Sequence, residues 1–141
     1  MRTFVDATIL VSAVDEADER RRSIARDVLT VGADGGLVVS TQVLSEFLVA
    51  VRRLAVPVDQ ARALEIVRSV TASVEVHVPS VADVLAAGER ALRDRVHQED
   101  AVIVESALSA GCEVLLTEDL PAGALQDGRR FERLVVRDPF R

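Results

Sequence analysis

At 141 residues, 49 % of them hydrophobic, the chain is long enough for one domain with a real core, and somewhat more apolar than a small monomer requires. A formal net charge of −6 argues against a basic duplex-binding module, and with four Phe and no Tyr or Trp an aromatic platform for stacking bases is not expected. No apolar run approaches the ~20 residues of a membrane span and no leader-like segment opens the sequence, so a cytoplasmic protein without membrane contact is expected.

In chain order, Thr3-Phe4-Val5 reads as a brief strand that Asp6 ends, followed by a short helix from Thr8 to Val14. The segment DEADERRRSIARDVLTVG reads as a charged, solvated helix in which Glu16/Arg20 and Asp18/Arg22 stand at pairing distance along a helix. ADGG breaks it, and LVVS is the unbroken apolar run of a buried parallel strand. TQVLSEFLVAVRRL carries Val43, Leu44, Phe47, Leu48, Val51 and Leu54 at helical spacing and stops before Pro57. A helix over 58–72, a strand VEVHV and a long helix from Pro79 to about His97 come next. DAVIVESALSAG is a helix closed by Gly111, Cys112 is a single core thiol, EVLLT a fourth strand and RLVV a short fifth. Strands separated by helices predict one α/β domain over 1–141, with a central parallel sheet of four to five strands between helical layers.

A parallel sheet presents ligands beyond the carboxyl ends of its strands. Asp6 follows strand one, Asp119 closely follows strand four, Asp100 opens the helix leading into strand four, and Glu46 lies in the helix after strand two. Four separate stretches can thus bring carboxylates to one edge, and such a cluster does not stay ionised without cations. Mg²⁺ or Mn²⁺ is the natural compensation. Each acid also has a plainer use. Asp6 can cap the helix near Thr8, Glu99 and Asp100 suit a helix N-terminus, Glu46 can be a solvated helical residue, and Glu118 and Asp119 can be turn residues before Pro121.

FVDATILV, VSTQVLSEF, EDAVIVESALSAG and VLLTEDL resemble, in order and spacing, the four acidic blocks of PIN-domain nucleases, most closely the VapC-type toxin ribonucleases of toxin–antitoxin pairs. The likeness runs through the closing VVRDPF. It implies a Rossmann-like three-layer α/β/α domain that uses Mg²⁺ or Mn²⁺ to hydrolyse RNA with metal-activated water. By motif, Asp6, Glu46, Asp100 and Asp119 are its catalytic and metal-holding quartet, and Thr8 and Thr117 its supporting polar positions. Many relatives have an aromatic residue where Glu99 precedes the third acid, and Thr-x-Asp spacing selects Asp119 over Glu118. The resemblance further implies a cognate antitoxin as partner and, with the apolar excess, a homodimer. His77 is expected to be structural, while His97 stands close to the Asp100 helix. A receiver-like phosphoacceptor domain is the first rival, weakened because all 17 cationic residues are arginine and none is the lysine such domains use. A PIN-like binding module without catalysis is the second.

Overall fold

The computed structural model of the chain describes residues 1–32, 35–118 and 125–141. The strands are β1 (Thr3–Val5), β2 (Leu37–Ser40), β3 (Glu75–His77), β4 (Val114–Leu116), β5 (Arg130–Phe131) and β6 (Leu134–Arg137). They form one sheet in the order β3-β2-β1-β4-β6-β5, parallel throughout except for β5, which pairs antiparallel with β6. Among the described residues the expected four to five strands become six, because RFERLVVR folds back on itself as a hairpin. Glu132 sits in its turn at φ 57°, a left-handed conformation that helical and strand periodicities do not announce.

The helices among the described residues are α1 (Ala7–Ser12), α2 (Glu19–Val31), α3 (Thr41–Ala50), α4 (Gln60–Ser73), α5 (Val81–Asp94) and α6 (Gln98–Ser109), and a 3₁₀ turn at Val51–Arg53 extends α3. Most begin on a polar cap. Ser40 accepts from the Val43 N–H, Asp59 from Arg62, and Ser80 forms a reciprocal capping box with Asp83. The charged helix starts later than its composition suggests. Asp15 and Asp18 bind backbone N–H groups of Ala17 and Arg21, so Asp18 becomes the cap and Glu16 lies outside the helix. The expected Glu16/Arg20 and Asp18/Arg22 pairs therefore do not form. Asp18 pairs with Arg21 instead, and Arg20 donates to the Phe140 carbonyl.

The sheet's middle is fully apolar: Phe4, Val5, Val38, Val39, Leu115 and Val136 are all buried, and Ile9, Phe47, Ile103 and Val104 pack over them from the helices. Side chains of this size stabilise the fold by about 1.5–3 kcal/mol each on leaving water. Cys112 lies in this core as expected, and burial pushes its thiol up to about 11. His77 is partly buried and ties β3 to the start of α5, its Nε2 lying 2.9 Å from Asp83 Oδ2 beside the α5 cap. Among the described residues no helix is long and apolar enough to cross a membrane.

Candidate active site

Strand register builds the site. β1 and β4 run in step, with Phe4 beside Leu115 and Val5 beside Leu116, so the next residues out, Asp6 and Thr117, emerge together at the carboxyl edge. The Asp6 N–H donates to the Leu116 carbonyl at 3.0 Å, which closes the ladder one residue beyond the strand. Thr117 Oγ1 then donates to Asp6 Oδ2 at 2.7 Å, while Asp6 Oδ1 accepts from the Ala7 N–H at 2.8 Å and caps α1. Asp6 serves both as cap and as edge carboxylate. Only 9 % exposed, its carboxyl is pushed above the usual range by burial, against the pull of the Thr117 and Ala7 bonds.

Thr8 continues the polar chain. Its Oγ1 stands 3.4 Å from Thr117 Oγ1 and accepts from the Glu118 N–H at 3.1 Å, pinning the start of the segment after β4 against α1. The Glu118 carboxylate pairs with Arg21 on α2, whose guanidinium also lies over the Phe140 ring. Thr8, Arg21 and Glu118 border a cleft of about 600 Å³ that reaches Glu46. Asp119 lies outside the described residues.

Glu46 and Asp100 arrive from α3 and from the first turn of α6, and both are half-buried. Burial raises the Glu46 carboxyl first, followed by the charges of Asp6, Asp100 and Glu99, with a Gln42 hydrogen bond opposing. Burial likewise raises Asp100, with Asp6 next, and here His97 works in the other direction. The helix dipole favours an ionised Asp100, but burial and the Asp6 charge win. Asp6, Glu46 and Asp100 thus sense one another's charge. They do not touch: among the described residues no three Asp, Glu, His or Cys side chains close around a common point. The donor set is nevertheless all oxygen, and it suits a hard divalent ion rather than a soft one. Glu99 is exposed and contributes its backbone carbonyl, not its side chain, to the α3–α6 contact; His97 is exposed at the N-cap of α6 without a side-chain capping bond.

Two contacts escaped the sequence. Arg21 holds Glu118 across most of the chain length, a pairing that no local pattern signals. Gln42 donates to Glu46 at 3.0 Å, and here the i, i+4 spacing on one helix was the available clue.

A parallel sheet whose first and fourth strands bring an acid and a hydroxyl to one carboxyl edge, with further acids entering from flanking helices, is a Rossmann-like α/β arrangement. Residues 3–120 match the family model of the PIN domain, and the chain belongs to that family. No curated protein sequence matches significantly. Among solved structures, the chain is similar to a VapBC2 complex of Rickettsia felis bound to a DNA fragment from their promoter, at TM-score 0.69 and 15 % identity over 98 % of each chain. It is also similar to VapBC-1 of nontypeable Haemophilus influenzae, at TM-score 0.66 and 19 % identity over 100 % of both chains. A third is VapC20 of Mycobacterium tuberculosis, a sarcin-ricin-loop-cleaving toxin, at TM-score 0.66 and 17 % identity over 80 % of this chain and 86 % of that one. At these identities the likeness establishes the fold.

Proposed function

We propose that the chain, a single domain over residues 1–141, is a metal-dependent endoribonuclease and the toxin of a toxin–antitoxin pair. The observation that carries this reading is the Asp6–Thr117 junction at the carboxyl edge of β1 and β4, within electrostatic reach of Glu46 and Asp100. PIN-domain membership and the sarcin-ricin loop cleaved by one structural neighbour support it.

Asp6, Glu46, Asp100 and Asp119 would hold Mg²⁺ or Mn²⁺, with Asp6 and Asp100 as the principal ligands. A divalent ion there supplies activation of water and charge neutralisation at the scissile phosphate. The protein's own part is orientation. Thr117 fixes the Asp6 rotamer by its 2.7 Å bond, and Thr8 fixes the backbone that leads to Asp119. Without a cation the acids repel an RNA phosphate, so substrate engagement depends on the ion.

The partners follow from the same reading. A cognate antitoxin is proposed because the similar VapBC structures hold one, and the cytoplasm is the place where the pair would meet RNA. A homodimer is supported by Val81, Leu85 and Leu92, which form an exposed apolar row along α5 at helical spacing. Cleavage of a structured RNA in Mn²⁺, abolished by EDTA and restored by added Mn²⁺, is the expected result. RNA binding without cleavage under any divalent ion would favour the binding-module reading, and sedimentation as a monomer at all concentrations would remove the homodimer.

A further inference from the structure

Gln42 lies one helical turn before Glu46, and its amide joins two elements of the site. Nε2 donates to Glu46 Oε1 at 3.0 Å and to the Glu99 backbone carbonyl at 3.1 Å, one residue ahead of Asp100. The other end of the amide is orphaned: Gln42 Oε1 is buried and has no hydrogen-bond partner among the described residues. Turning the amide over would set its oxygen against two acceptors, so the N–H end is fixed where it stands. Buried acceptors are rarely left unpaired, because the lost hydration is not recovered. This one is tolerated in exchange for two N–H bonds, and both of those run to the acidic site.

We infer that Gln42 is a positioning residue: its amide aims the Glu46 carboxylate and ties α3 to the first turn of α6, holding Glu46 and Asp100 in one relative geometry. The inference rests on the proposed metal role of Glu46. A side chain that orients a metal-holding carboxylate typically governs metal affinity by about 10–100-fold. A residue that merely stabilises the helix has no reason to act through Glu46.

The test is a double-mutant cycle on the full chain, with Mn²⁺ affinity read by calorimetry. Gln42→Leu is expected to weaken Mn²⁺ binding at least about 10-fold. In a Glu46→Gln background the same change should alter affinity by less than about twofold, since the carboxylate it aims is gone. At saturating Mn²⁺, RNA cleavage by Gln42→Leu should lose kcat with KM little changed. Equal losses of Mn²⁺ affinity in both backgrounds would overturn the inference, as would an unchanged affinity in Gln42→Leu when Glu46→Gln alone weakens binding. Should Glu46→Gln itself leave Mn²⁺ affinity unchanged, the metal role of Glu46 fails first. If Gln42→Leu does not fold, Gln42→Asn gives the same cycle, because its amide is one methylene too short to span both acceptors.

Discussion

Replacing Asp6 by asparagine in the metal-free protein removes a carboxylate that is only 9 % exposed. Asparagine caps helices as well as aspartate does, so α1 keeps its N-cap. Thr117 can reverse its hydroxyl, accepting from the new amide and donating to Thr8 Oγ1, which stands 3.4 Å away. Hydrogen bonds to a charged acceptor contribute about 1.5–3 kcal/mol and neutral ones about 0.5–1.5, so the exchange of two such bonds forfeits about 2–3 kcal/mol. Burial nevertheless outweighs those bonds, because the Asp6 carboxyl is raised on balance, and its charge also burdens Glu46 and Asp100. The net expectation is a gain in stability at pH 7, whereas the lost bonds acting alone would cost about 2–3 kcal/mol, or about 4–12 °C in Tm for a chain of this size. The sign fixes the pH dependence. A raised carboxyl binds protons more tightly folded than unfolded, so it lowers stability as pH rises from its unfolded value near 4, and the full cost is present above its folded value. Thermal melts in EDTA at pH 7 and pH 4 should therefore show the variant's advantage at pH 7 and its disappearance at pH 4. An Asp6→Asn protein that melts several degrees lower at pH 7 would refute the reasoning, because the two hydrogen bonds to the carboxylate would then outweigh its burial.

Further outcomes follow from other parts of the molecule. Asp119→Asn should weaken Mn²⁺ binding at least about tenfold, whereas Glu118→Gln, whose partner is Arg21, should leave it within about twofold; calorimetry on both variants decides which acid after β4 serves the ion. Arg90 is 4 % exposed and held by Glu105 at 2.6 Å, Glu132 at 2.8 Å and Asp94 at 3.2 Å, so Arg90→Ala removes a buried cation and leaves the half-buried Glu105 and Asp94 carboxylates without it. Urea unfolding should show a loss of about 3 kcal/mol, and a loss under about 1 kcal/mol would mean that the cluster relaxes freely. Cys112, with its thiol pushed up to about 11, should resist an aqueous thiol reagent in the folded protein at pH 8 and react on unfolding.

The parts of the fold that were legible in the sequence are those set by short-range pattern. LVVS and VLL are unbroken apolar runs because both faces of a central parallel strand are covered, and the helix of Phe47 shows its buried face at helical spacing. The place of Asp6 at the carboxyl edge was legible one step further on, because a parallel sheet brings its strand ends to a common edge, and Glu46 and Asp100 come within reach of its charge without closing a cluster among the described residues. What stayed hidden depends on side chains bonding backbone or meeting across the fold. Asp15 and Asp18 delay α2 by binding local N–H groups, a choice that charge spacing along an assumed helix overlooks. The β5–β6 hairpin turns on a single residue at positive φ, and the Gln42–Glu99 and Arg21–Glu118 contacts join elements whose relative placement exists only once the sheet has formed.

The central claim, that separated acids act as one metal-supported nuclease site, is tested most directly by single-turnover cleavage of a structured RNA in Mn²⁺ with Asp6→Asn, Glu46→Gln and Asp100→Asn. All three variants are expected to fold, and each to cleave at least about 100-fold more slowly than the unmodified chain, a loss of about 2.7 kcal/mol in transition-state stabilisation. Any one of the three, properly folded and cleaving at the unmodified rate, would contradict the account.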